Sequence, residues 1–226
     1  MDKHKNGKNI VLAIETAVQG GSLSLLEKGK EVDFWQGSGS ISKSADILDE
    51  ISRLFQKNKI KKNQIEQIVV SRGPGSFTGM RIGLAIALGL KKSLGCDICG
   101  VSVLEAMAWQ AFGNKNIFTA IPFGTKQVCL QKFQIGQKRE LNIVKLPGVM
   151  LFETFVQFLK VELEASFVLY GKLHKVVLEQ VQTEPQIIKR MANCGENLAY
   201  YIGLLANEKL VSDNLQPIYV QVARER

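Results

Sequence analysis

The chain has 226 residues, a formal net charge of +8, and 46% hydrophobic and 22% charged residues. That globular balance excludes disordered and fibrous classes and fits one large domain or two small ones. No apolar run approaches the ~20 residues of a membrane span, and Glu15 cuts the first apolar run too soon for a signal peptide's ~7–15-residue core. A cytoplasmic protein without membrane contact is expected, with its four cysteines reduced.

In chain order, residues 9–14 form a short apolar run with β-branched residues, and residues 22–26 and 32–35 flank Lys28-Gly29-Lys30. A strand, a second strand and its hairpin partner are predicted. In residues 44–56 the apolar Ile47, Leu48, Ile51, Leu54 and Phe55 fall at one-face spacing, which predicts an amphipathic helix. Lys57, Lys59, Lys61 and Lys62 follow. Each half of the chain carries a net +4, so this cluster reads as a solvated turn with only a slight lean toward an anionic partner. Residues 67–71 predict a strand, 72–78 a glycine loop, 79–94 a helix, 97–101 a strand, and 102–112 a helix that Ser102 and Glu105 open as a capping box. Further on, strands are predicted at 117–121, 128–133 and 167–170, and helices at 151–163 and 192–206. The change of pattern places a domain boundary at 108/109.

The informative stretch runs from Ser71 to Leu90. Gly73, Gly75 and Gly79 lie within seven residues, between a strand and a helix, where the backbone must turn tightly or approach another surface closely. The helix that follows is apolar nearly all round. Its small residues Gly79, Gly83 and Ala87 recur every fourth position, with Ala85 and Gly89 as a second row. Each interior glycine costs ~1 kcal/mol relative to alanine, so close helix packing must compensate. A second chain is the expected occupant. The alternative is a helix wholly internal to this chain.

A glycine loop between strand and helix also invites a phosphate. Here it ends Thr78-Gly79-Met80 without the Gly-Lys-Ser/Thr of a P-loop, and its glycines are spaced one residue too wide for the dinucleotide fingerprint.

The segment Gly73-Pro-Gly-Ser-Phe-Thr-Gly-Met-Arg-Ile-Gly83, with Leu12-Ala-Ile-Glu-Thr16 before it and Gly100-Val-Ser-Val-Leu-Glu-Ala-Met-Ala108 after it, resembles the bacterial TsaB (YeaZ) family. The resemblance covers residues 9–112 strongly; later, only Pro217-Ile-Tyr219 is similar to the family's ending. It implies an α/β, two-lobed actin/hexokinase/Hsp70-like fold with mixed sheets and flanking helices, an N-terminal lobe at 1–108 and a divergent lobe at 109–226. It further implies a scaffold that pairs with the paralogue TsaD and, with the ATPase TsaE, serves threonylcarbamoylation of the tRNA adenosine beside the anticodon. Contact with tRNA would be indirect. Without its partner the chain is expected to pair with itself through the same face.

The expected partner face comprises Ile47, Ile51 and Leu54 from one helix and Gly79, Met80, Gly83, Leu84, Ala87 and Leu90 from the other, beside the loop residues Gly73, Gly75, Ser76 and Thr78. No catalytic residue, metal site or cofactor is expected on this chain alone. In ATPases of the implied fold an Asp ends the first strand and organises magnesium, and the family usually keeps Asp-Thr; this chain has Glu15-Thr16. The extra methylene suits an octahedral site poorly, and a strand-end Glu otherwise reads as solvated or capping. Lys43-Ser44 replaces a His common among relatives, and Pro122-Phe-Gly124 replaces Asp-Ala-Arg.

Other chemistry is sparse. Cys96 and Cys99 form a lone Cys-x-x-Cys entering a strand, and His174 sits between lysines in an expected loop, as His4 does near the start. No protease nucleophile elbow or zinc-binding helix is present. Two classes remain open: a non-catalytic pairing subunit, or an enzyme of the same fold such as a small-molecule kinase or ATP hydrolase.

Overall fold

The computed structural model describes residues 10–38, 44–111, 116–136, 140–207 and 214–220. His4 and Lys43, named above, lie outside them, as do positions 9 and 112 at the ends of two predicted elements.

The first sheet has the order β3-β2-β1-β4-β5, from β1 (Ile10–Glu15), β2 (Ser22–Glu27), β3 (Lys30–Gln36), β4 (Ile65–Ser71) and β5 (Asp97–Val101). The β1, β2 and β3 strands form an antiparallel meander, while β1, β4 and β5 run parallel. The β1 strand is buried along its whole length because both faces of the sheet are covered. Ile10, Leu12 and Ile14 meet α1 (Ser44–Lys57) and α2 (Phe77–Leu94). Val11 and Ala13 point the other way, toward α7 (Leu198–Asn207).

The second sheet has the order β11-β10-β6-β7-β8, with β9 also on β7. Its strands are β6 (Asn116–Phe123), β7 (Gln127–Ile135), β8 (Leu141–Ile143), β9 (Gly148–Leu151), β10 (Ser166–Leu169) and β11 (Met191–Asn193). Around it lie α3 (Val103–Trp109), α4 (Phe152–Val161), α5 (Gly171–Val181) and α6 (Pro185–Ile188). Phe118 stacks on Phe167 and meets Phe158 edge-on at the centre of this second core.

The expected boundary at 108/109 is not a single cut. All of α3 but Trp109 lies before it, yet Val103, Leu104, Met107 and Ala108 belong to the second core. The α7 helix lies after it, yet Ala199, Ile202 and Leu205 pack on the first sheet, where the Ala199 amide donates to Ser22 Oγ at 2.9 Å. Residues 214–220 also return there, with Leu215 against the first core and the Ile218 amide on Arg72 O. The chain crosses between lobes again because sheet one has two apolar faces and only α1 and α2 to cover one of them.

Three local expectations change. The last helix starts at Leu198, six residues later than predicted, with β11 occupying Met191–Asn193. His174 is helical in α5, whose Leu173, Val177 and Val181 bury one face. The glycine loop is shorter, because α2 begins at Phe77 and takes in Thr78. No helix among the described residues is long and apolar enough to cross a membrane.

Candidate partner-binding face

The end of β1 and the start of α2 are built against each other. Ser76 caps α2 by accepting from the Gly79 amide at 3.2 Å, while its own amide donates to Ala17 O at 2.7 Å. Thr16 Oγ1 donates to Gly79 O at 2.7 Å. A Cβ at Gly75 or Gly79 would collide with the carbonyls of Ala17 or Thr16, and one at Gly83 with Thr16 Oγ1. The glycines therefore admit a neighbouring turn of the same chain.

This overturns the expected face. Ile47, Ile51, Leu54, Met80, Leu84 and Ala87 are buried in the first core, Gly79 and Gly83 are buried against Thr16, and Leu90 packs partly buried on the same core. The small-residue row does mark a close approach, but Thr16 makes it. Gly73 is likewise enclosed, with the Met80 thioether where its Cβ would be. We expect Gly83→Ala to destabilise the fold by about 1–3 kcal/mol through overpacking. Thr16→Ala should rescue it partly and should not rescue Gly79→Ala, whose obstacle is a backbone carbonyl; thermal melts of the single and double variants decide this.

Glu15 is buried at 1% exposure, and its Oε1 accepts from the Ala17 and Val18 amides at 2.5 and 2.9 Å. The carboxylate thus organises the turn after β1 in the capping manner expected, while being far from solvated. Burial pushes its pKa up to about 7, against the pull of the two backbone bonds. The hollow between this turn and Ser76–Gly79 measures about 30 Å³, room for about one water. With one carboxylate oxygen already engaged and no lysine lining the hollow, the donor set does not fit a magnesium–phosphate group. Across the cleft, Tyr170 Oη donates to Gln19 O at 3.3 Å and ties the lobes together. Pro122 and Phe123 end β6, and Gly124 opens the turn to β7.

Cys96, Cys99, Cys129 and Cys194 are buried and form no disulfide, and burial raises the Cys129 and Cys194 thiols to about 12, far from the thiolate a nucleophile needs. Desolvation lowers the His174 pKa.

What α2 leaves open is its opposite side. Phe77, Thr78, Arg81, Ala85, Leu88 and Gly89 are exposed, Phe77 by 50% and Leu88 by 47%. The Arg81 guanidinium lies 3.7 Å over the Phe77 ring, which leans on Tyr219 at 5.4 Å. A shallow hollow of about 420 Å³ runs from Phe77 past Arg81 to Ile86. Gly89 differs from Gly79 and Gly83 in one respect: a Cβ there would meet nothing within 4 Å. Beside this face, α1 exposes Leu48. Residue spacing had flagged Ala85 and Gly89 as a second row; exposure separates the two rows.

A family model described as "TsaD: tRNA N6-adenosine threonylcarbamoyltransferase" matches residues 40–209. The tRNA threonylcarbamoyladenosine biosynthesis protein TsaB of Bacillus subtilis is 31% identical over 219 residues, 94% of each chain. The chain belongs to the TsaB family. TsaB proteins of two Buchnera aphidicola subspecies are 33% and 31% identical, and there the match spans about half of each relative's length, 48% and 55%. Among solved structures, YeaZ from Pseudomonas aeruginosa superposes with a TM-score of 0.63 at 19% identity, covering 93% of this chain and 99% of that one. A Porphyromonas gingivalis protein assigned as a candidate N-acetylglucosamine kinase superposes at 0.52 with 12% identity, covering 89% and 100%. The chain accordingly shares the two-lobed α/β fold of these structures.

Proposed function

We propose that this chain is a non-catalytic subunit in tRNA threonylcarbamoyladenosine biosynthesis, acting in the cytoplasm by pairing with a TsaD-type protein through the outer face of α2. The observation that carries this reading is Gly89. A glycine inside a helix costs ~1 kcal/mol, and nothing among the described residues uses the space it leaves. Flanked by exposed Phe77, Ala85 and Leu88, that space suits the backbone or side chains of another helix.

The non-catalytic part rests on the cleft. Phosphoryl transfer depends on positioned metal and charge, and Glu15 spends its carboxylate on the Ala17 and Val18 amides beside a hollow too small for phosphates. A TsaE-type ATPase would supply nucleotide turnover, and pairing would act by favouring the partner's competent state.

The test is reconstitution with tRNA, threonine, bicarbonate and ATP, omitting one protein at a time. Modification is expected to vanish without this chain, while the chain alone neither turns over ATP nor modifies tRNA. Full modification in its absence would overturn the scaffold role. Magnesium-dependent ATP turnover by this chain alone, lost in Glu15→Ala, would favour an enzyme.

A further inference from the structure

The described lysines of the first lobe gather at the end of its sheet remote from the glycine loop. Ile10 pairs with both Glu27 and Ile65, and Gln67 with Asp97. The starts of β1, β4 and β5 therefore share one end with the β2–β3 hairpin. The α1 helix leads into the start of β4 and α2 into the start of β5, so both helices also finish there. Eight exposed lysines result: Lys28 and Lys30 on the hairpin, Lys57, Lys59, Lys61 and Lys62 between α1 and β4, and Lys91 and Lys92 in the last turn of α2.

Among the described residues, five carboxylates share this end. Asp33 binds Lys57 at 2.8 Å, and Glu31 accepts from Ser24 and Asn197. Glu27 is also engaged, which leaves Glu66 and Asp97. Among the described residues, none of the other seven lysines is ion-paired.

The backbone supplies an independent sign. Lys28 and Lys59 are the positive-φ residues other than glycine among those described, at 52° and 53°. Lys28-Gly29 turns the hairpin with both residues left-handed, a turn that favours Asn-Gly. Lys59 occupies the left-handed position of a Schellman cap on α1, with its amide on Gln56 O and the Ile60 amide on Phe55 O, where Gly or Asn is usual. Two positions that disfavour lysine both carry one, and both lie on the same basic end. Backbone strain of this kind collects at functional sites.

We infer that this end of the first lobe binds the phosphate backbone of RNA directly. The inference rests on the tRNA reading above and replaces the expectation that contact is indirect. The lysines stand on turns fixed by the sheet, from the hairpin to β5, across about four strand spacings of ~4.8 Å. That span suits several successive phosphates.

The test measures binding of labelled tRNA to the purified full chain between 50 and 200 mM salt, comparing it with the variant Lys28→Asn, Lys59→Asn, Lys61→Gln, Lys62→Gln. Asparagine suits both left-handed positions, so the fold is kept, and circular dichroism checks it. Each neutralised phosphate contributes roughly −0.7 to −0.9 to the slope of log K against log salt. The variant should bind about 10–100-fold more weakly at 50 mM, with a slope shallower by about three. Equal affinity and slope, no tRNA binding by the native chain, or binding to phosphatidylserine vesicles without tRNA binding would each overturn the inference. Because this chain is measured alone, the result is separable from the pairing role: lysine-dependent tRNA binding stands even if reconstitution proceeds without the chain.

Discussion

Glu15→Gln is expected to remove a loss of stability that the native chain suffers between about pH 5 and pH 8. Burial holds the Glu15 pKa up at about 7, against an ordinary value of 4.5, so over that window the native state holds a proton that the unfolded chain has released. Stability falls with rising pH wherever the native state binds more protons. The contribution is complete below pH 4.5 and lost as pH rises through 7. At 1.36 kcal/mol per pKa unit, the loss is about 3 kcal/mol. Glutamine cannot ionise but keeps a carbonyl oxygen for the Ala17 and Val18 amides. The variant should match the native chain near pH 5 and exceed it by about 3 kcal/mol at pH 8. Other groups also titrate: burial raises Glu105 in the same direction, and desolvation lowers His174, which acts in the opposite sense. Urea denaturation of both proteins at pH 5, 6.5 and 8 isolates Glu15, because those other groups cancel in the difference. Parallel stability curves would show that the carboxylate is solvated or ionised in the fold.

Glu15 also marks where sequence reading stopped. Residue type and position suggested a cap, and the two backbone amides are indeed capped; burial was invisible because it depends on α2 closing over the turn through Ser76 and Gly79. The same limit governed the partner face. Spacing alone shows that Gly79, Gly83 and Ala87 share one side of a helix and Ala85 and Gly89 another. It cannot say that Thr16 fills the first side, since that contact joins residues more than sixty positions apart. The α/β pattern of the first lobe was legible because β1 and the Ile68-Val69-Val70 stretch of β4 are buried on both faces and read as short apolar runs. In the second lobe α5 was not, because it starts at Gly171 without a side-chain cap and carries the β-branched pair Val176-Val177. The return of α7 to the first sheet was also hidden: its mostly apolar sequence shows that it is buried, not against which lobe.

Gly89→Leu should stabilise the free chain and break its pairing. In the free chain the position is open, so replacing glycine by a strong helix former should gain up to about 1 kcal/mol. In a helix-to-helix interface the same side chain occupies the space that a partner needs, and truncation or obstruction at the centre of such an interface typically costs 2–4 kcal/mol. A loss of affinity for the TsaD-type partner of 30- to 1000-fold follows, at 1.4 kcal/mol per tenfold. Arg81→Glu supplies a second probe, since it reverses the charge beside Phe77 without entering the core. An exposed face of this kind is commonly covered by a two-fold copy of itself when its partner is absent. Light scattering of the isolated native chain at micromolar concentration should therefore report a dimer, and both variants should shift it toward monomer. Gly83→Leu is the contrasting control: its side chain would enter Thr16 and disturb folding itself. Calorimetric titration of the partner with well-folded Gly89→Leu decides the matter, and an affinity equal to that of the native chain would place the interface on another surface.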